Sequence, residues 1–189
     1  TNAGTFIGGA NESTAVIDSC VAGENVYVEA FRSAAFVGGA KLPNITLTNS
    51  ASFATTVYAE GSNYASTGLV SEYYLNKVVV KNCFNANGPI VTGASGYLTV
   101  TSSFETIAGG ETEGVTVLTK EQMQGKKVLE EGGSMAALNA TANYWTATDS
   151  YPVLTASLGI IVADKYWDGT TQAPNDSNGD GVYEINSPK

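Results

Sequence analysis

Ile17-Asp18-Ser19-Cys20-Val21 returns as Leu47-Thr48-Asn49-Ser50-Ala51, then as Val80-Lys81-Asn82-Cys83-Phe84 and Val100-Thr101-Ser102-Ser103-Phe104. The first residues of these strings are 30, 33 and 20 positions apart. Other strings repeat around them. Phe6-Ile7-Gly8-Gly9-Ala10 comes back as Phe36-Val37-Gly38-Gly39-Ala40, with a weaker form from Leu69-Val70, and Val26-Tyr27-Val28-Glu29 comes back as Val57-Tyr58-Ala59-Glu60 and Ile90-Val91-Thr92. Each unit therefore holds three short strand-like stretches separated by Gly, Asn or Ser turns. This anatomy predicts an all-β fold, a right-handed parallel β-helix (solenoid) in which three parallel sheets form as successive coils stack about 4.8 Å apart. Side-chain alternation turns Ala15 and Ile17, Ile45 and Leu47, Val78 and Val80, and Leu98 and Val100 inward. Ile17, Leu47, Val80 and Val100 are expected in one internal column. An antiparallel β-sandwich also has many short strands, but it gives no reason for the same tripartite string to return at near-constant spacing.

Composition agrees with strands and narrows the chemistry. Of 189 residues, 43% are hydrophobic and only 14% charged, against about 25% charged in an average globular domain. Nine basic residues against 18 acidic ones give a net charge of −9, and phosphate-backbone recognition needs clustered Lys and Arg, so nucleic acid is not an expected partner. The chain has no His, which excludes Ser-His-Asp, Cys-His and zinc-His chemistry. No apolar run approaches the 18 or more residues of a membrane span, so membrane insertion is not expected. Thr1-Asn2-Ala3-Gly4 lacks the basic start and apolar middle of a signal peptide. The chain reads as a soluble piece of something larger, with an extracellular, cell-surface location expected from its low charge and its richness in Thr and Asn.

Three regions are expected. Residues 1–118 form the coils, with residues 61–77 interrupting the pattern as an extruded loop. Residues 119–157 form a small helical and extended cap over an open end rung, which would otherwise pair with another chain. Thr119-Lys120-Glu121-Gln122 fits a capping box with Thr119 as N-cap. Met123, Val128 and Leu129 then share a helix face, Gly132-Gly133 stops the helix, and residues 134–139 add another turn. Tyr144-Trp145 and Tyr151-Pro152-Val153-Leu154 read as an aromatic, extended return. Residues 158–189 are a tail or the start of a following module.

These strings resemble the GLUG-type repeats of large bacterial cell-surface proteins, and of the β-helical region in front of some IgA-specific metallopeptidases. The matching positions are Phe36-Val37-Gly38-Gly39 and Lys81-Asn82-Cys83-Phe84-Asn85. Leu118-Thr119-Lys120-Glu121-Gln122-Met123, Tyr144-Trp145 and Ser150-Tyr151-Pro152-Val153-Leu154 look like the segment that closes such arrays. Tyr166-Trp167-Asp168-Gly169-Thr170-Thr171 is similar to the opening of a following repeat module. The resemblance implies display, adhesion or spacing on a cell surface, and it carries no catalytic residue.

Candidate sites are few. Asp176-Ser177-Asn178-Gly179-Asp180-Gly181 matches the first half of a calcium loop, with Asp176, Asn178 and Asp180 as ligands and Glu184 at the ninth position, although Ser187 stands where a bidentate Glu belongs. The same segment also reads as an Asn/Asp/Gly turn leading into the next module. Tyr64, Tyr73 and Tyr74, together with Tyr58, Trp145 and Trp167, are candidates for stacking on glycans or for filling turns and caps. Glu29 and Glu60 are expected at equivalent places on neighbouring coils, as a general acid and base, a cation site or a solvated ladder. Cys20 and Cys83 share a repeat slot with Ser50 and Ser103, and are expected as free thiols in a ladder of small inward-facing side chains.

The expected function is a non-catalytic extracellular module for display, adhesion or structural assembly, with no required cofactor and calcium as the one candidate ion. Its expected partners are neighbouring modules of a longer surface protein, glycans of host or bacterium, or further copies of itself. A carbohydrate-binding module and a self-assembling filament or surface-layer-like protein are the alternatives.

Overall fold

The computed structural model describes residues 2–8, 10–11, 14–30, 32–38, 40–41, 44–59, 68–71, 77–92, 98–106 and 113–155. Two parallel sheets dominate them. One has four strands, in the spatial order Leu98–Thr101, Lys77–Lys81, Asn44–Thr48, Thr14–Asp18. The other has five, in the order Val115–Val117, Ser103–Glu105, Phe84–Asn85, Ala51–Ser52, Val21–Ala22. Each strand of the first sheet thus turns a corner into a strand of the second, and the repeated strings are those corners.

The register is the one that the strings dictate. Ile17 pairs with Leu47, Leu47 with Val80 and Val80 with Val100. All four are buried, and with Ile45, Val78, Phe36, Leu69 and Ile90 they belong to one apolar core. A one-residue slip would turn this whole column outward, so burial of one face pins the register.

Two features of the expected fold are corrected. The described residues form parallel sheets but not the three continuous sheets of a right-handed β-helix. Beyond the two large sheets, the parallel pairings are two-stranded pieces, such as Tyr27–Ala30 with Thr56–Ala59, and single bridges from Ile7 to Val37 and from Val37 to Val70. The unequal repeat lengths are the physical reason. Pairing steps of 30, 33 and 20 residues connect the strands of the four-stranded sheet, and while the faces flanking the shared corner carry strand-long ladders, the third alignment, Ile7 with Val37, Val37 with Val70 and Val70 with Val91, narrows to single bridges and one two-residue pair.

The second correction concerns the expected capping helix. Between Thr119 and Leu154 the chain makes two short 3-10 turns, Glu121–Met123 and Ala136–Asn139, and no α-helix. The capping box itself forms: the Thr119 N–H donates to the Gln122 side-chain oxygen at 2.8 Å and the Gln122 N–H donates to the Thr119 hydroxyl at 3.3 Å. Propagation stops because Gln124 is extended and Gly125 takes φ +109°, a conformation open to glycine. Trp145–Thr146 and Val153–Leu154 then pair antiparallel.

Candidate functional site

The corner is the most elaborated place in the molecule. Ser19, Asn49, Asn82 and Ser102 all have positive φ, between 48° and 54°. Asn and Ser tolerate this left-handed conformation better than other non-glycine residues, because a short polar side chain can bond locally. One residue further on, the side chains turn inward and bond across repeats. The Cys20 N–H donates to the Ser50 hydroxyl at 3.1 Å, and that hydroxyl donates to the Thr48 carbonyl at 2.7 Å. Ser103 repeats the arrangement, accepting from the Cys83 N–H at 3.3 Å and donating to the Thr101 carbonyl at 2.9 Å. The thiols take the same role in their own repeats, Cys20 Sγ donating to the Asp18 carbonyl and Cys83 Sγ to the Lys81 carbonyl, each at 3.2 Å.

A second ladder runs along the turn residues themselves. Asn82 Nδ2 donates to Asn49 Oδ1 at 3.2 Å, and Asn49 Nδ2 donates to Asp18 Oδ1 at 2.8 Å. The Thr48 and Ser19 hydroxyls donate to the same carboxylate. The Thr48 hydrogen bond does most to hold the Asp18 carboxyl below its ordinary value, with Asn49 and Ser19 adding to it and partial burial opposing. Burial, together with the negative Asp18 beside it, pushes the Cys20 thiol up, and complete burial pushes Cys83 up to about 12. A nucleophilic cysteine needs a lowered pKa, so neither thiol is activated. Both are free.

Two residues past Ser50, Cys83 and Ser103 lies an inward polar column, Ser52, Asn85 and Glu105, all buried. Its members hold turns. Ser52 accepts from the Ala54 N–H at 3.2 Å, Asn85 accepts from the Asn87 N–H at 3.1 Å, and Glu105 Oε2 accepts from the Ile90 N–H at 2.8 Å. Reading the strings separately misses this column. Stacking Val21-Ala22, Ala51-Ser52, Phe84-Asn85 and Phe104-Glu105 exposes it, with increasing polarity along the last position.

The residue between corner and column faces outward: Val21, Ala51, Phe84 and Phe104. Outward Phe side chains need a cover, and residues 119–155 supply it. Met123, Val128, Met135, Leu138, Trp145 and Leu154 form a second apolar core with Ala51, Phe84 and Phe104. Trp145 lies 5.0 Å from Phe84 between ring centroids and donates Nε1–H to the Asn82 carbonyl at 3.3 Å. Tyr151 packs edge-on against Phe53 at 5.3 Å. The closing segment therefore lies along the outer face of the five-stranded sheet, spanning several repeats. Trp145, one of the aromatic candidates for glycan stacking, is buried there.

On the outer side of this segment a shallow groove of about 460 Å³ is lined by residues that include Gln122, Gln124, Lys126, Lys127 and Ser134. Its polar groups are partly occupied: Ser134 donates to the Gln122 carbonyl, and Lys126 pairs with Asp149 at 3.3 Å.

The other sequence candidates are not assembled by the described residues. Asp176, Asn178, Asp180 and Glu184 lie outside them, as do Tyr64, Tyr73, Tyr74, Glu60 and Trp167. Glu29 pairs in register with Tyr58, not with Glu60. Aligning Tyr27 with Tyr58 by identity misplaces the strand by two residues, which preserves the face and so leaves no trace in the alternation. Among the described residues, no group of three or more His, Cys, Asp or Glu is placed to hold a metal ion, and no helix is long and apolar enough to cross a membrane. The chain matches no family model, no curated protein and no solved structure.

Proposed function

We propose that this chain is a non-catalytic module of an extracellular surface protein, serving display or adhesion as a spacer between neighbouring modules. The observation that carries the reading is where its polar side chains spend their hydrogen bonds. Asp18, Thr48, Asn49, Ser50, Asn82, Cys83 and Ser103 bond to one another or to backbone groups of their own and adjacent repeats. Groups committed in this way fix the distance between repeats, as a spacer requires. Catalysis would need a positioned base with a matched pKa and donors aimed at developing charge. The likeness of the repeated strings and of the closing segment to GLUG-type surface repeats supports the same reading.

The test is a turnover screen of the full chain on acidic and neutral polysaccharides and peptides, run beside binding to immobilised glycans and matrix proteins. The expected result is binding or silence without turnover. Turnover abolished by Glu29→Gln or Asp18→Asn would overturn the reading in favour of an enzyme.

A further inference from the structure

We propose that Asn87–Gly88 is a self-modifying site, at which the Gly88 backbone nitrogen attacks the Asn87 carboxamide with help from Lys120, and water then converts the residue to aspartate or isoaspartate. The inference is independent of the adhesive reading. It involves no substrate, metal or turnover, since the reaction happens once in each molecule.

Asn87 is half-buried, and Gly88 behind it is buried. The Asn87 carboxamide is held at both ends: Nδ2 donates to the Phe53 carbonyl at 2.7 Å, and Oδ1 accepts from Lys120 Nζ at 2.5 Å. The backbone is fixed as well. The Asn87 N–H donates to Asn85 Oδ1 at 3.1 Å, and the Gly88 carbonyl accepts from the Thr106 N–H at 3.4 Å. Three parts of the molecule meet at this residue: the Ala51–Ser52 repeat through Phe53, the Phe84–Asn85 repeat, and the closing segment through Lys120.

The Gly88 N–H, by contrast, has no hydrogen-bond partner among the described residues. An unpaired N–H on a buried residue is uncommon. This nitrogen is also the next main-chain atom able to close a five-membered ring on Asn87 Cγ, and glycine adds no side chain to obstruct the approach. No hydrogen bond has to break before it attacks, and ring closure removes the unsatisfied donor.

Each contact of the carboxamide matches a step of the chemistry. As the Gly88 nitrogen gives its proton to solvent hydroxide and bonds to Cγ, the carboxamide oxygen gains negative charge. The Lys120 ammonium already sits on that oxygen, and a donor placed where charge develops lowers the barrier. Holding the group at both ends removes rotation that the attack would otherwise have to freeze. Nδ2 next takes up a proton from water, and the Phe53 carbonyl favours that charged form because it accepts its N–H bonds. The Cγ–Nδ2 bond then breaks, ammonia leaves and a cyclic imide remains. Water opens the ring at either carbonyl, so one water is consumed and one ammonia released, with no oxidant or reductant. The product alters the seam between coils and closing segment. It loses the donor to Phe53, whose ring packs edge-on against Phe84 and Tyr151.

The test is peptide mapping by mass spectrometry of the full chain during incubation at neutral pH, resolving Asn87 from Asn178, which also precedes a glycine. One exposed donor supplies less than a buried one, so conversion at Asn87 should run about tenfold faster in the folded chain than in guanidinium chloride. It should pass through an intermediate that has lost ammonia. Lys120→Met should bring the folded rate down to the unfolded one, and Lys120→Arg, which keeps a cationic donor, should retain most of the acceleration. The comparison of folded with unfolded wild type stands even where a variant folds poorly. A folded chain that converts no faster than the unfolded one, or a rate indifferent to Lys120→Met, would overturn the proposal. So would a lasting loss of ammonia with residues 87 and 120 joined in one cross-linked peptide, which would make Lys120 the nucleophile.

Discussion

Asn49 stands at the centre of the turn-residue ladder, and replacing it separates three contributions. It is buried, it donates to Asp18 at 2.8 Å, it accepts from Asn82 at 3.2 Å, and it holds φ +48°. The buried hydrogen bond to Asn82 contributes about 1 kcal/mol. A bond to a carboxylate is ordinarily stronger, but Asp18 is exposed, so about 1 kcal/mol is again the fair figure. Alanine in the left-handed region costs a further 1–2 kcal/mol or so. Asn49→Ala should therefore destabilise by about 3–4 kcal/mol, and Asn49→Gly, which loses both bonds but adopts the conformation freely, by roughly 1 kcal/mol less. For a chain of this size such losses lower Tm by about 6–15 °C. The assay is urea unfolding followed by far-ultraviolet circular dichroism at pH 7 and near pH 2. Because the Asp18 carboxyl is lowered from 3.8 in the folded state, its contribution is present above that value and fades as pH falls through the folded pKa. The gap between wild type and either variant should narrow at the acid end. Equal costs for Ala and Gly would refute the backbone part of this reasoning, and a cost below about 0.5 kcal/mol for both would refute the ladder.

Three further outcomes follow from the same contacts. Trp145→Ala should cost about 3–5 kcal/mol in the closing segment, seen as new protease cleavage within residues 119–155 while hydrogen exchange in the Ile17, Leu47 and Val80 strands stays slow. Glu105→Ala strands the buried Ile90 N–H and should destabilise by about 1–3 kcal/mol, whereas Glu105→Gln keeps an acceptor and should lose markedly less in urea titration. Burial raises the Cys83 thiol from 9.0 to about 12, so the unfolded chain releases a proton that the folded one retains; stability should fall above pH 9 by up to about 1.4 kcal/mol per pH unit, and Cys83→Ala should flatten that decline.

The parts of this molecule that follow a period were legible in its sequence. The column Ile17, Leu47, Val80 and Val100 could be written down from the strings alone, because the inward position of a buried strand is set by alternation and the corner fixes where counting begins. Identity between short strings was a poorer guide. Tyr27 and Tyr58 look equivalent, yet Val28 pairs with Val57, and a two-residue error is invisible to a period of two. Thr119 and Gln122 form the expected capping box, but a helix also needs residues beyond its first turn that propagate it, and Gly125 ends that possibility at once. The lateral position of residues 119–155 was encoded in Phe84 and Phe104, two large apolar residues at an outward position. The polar column ending in Glu105 emerges only when repeats are stacked, since each member alone looks like an ordinary turn residue.

The central claim is that the repeated corners stack in parallel register, with each string lying directly on the next. Methyl-resolved nuclear Overhauser spectroscopy of the full chain, with Ile, Leu and Val labelled, tests it most directly. The account predicts contacts between Ile17 and Leu47, Leu47 and Val80, and Val80 and Val100, and none between Ile17 and Val100, which stand three strand spacings, roughly 14 Å, apart. Contacts that skip Leu47, or that join Ile17 to Val100, would contradict it.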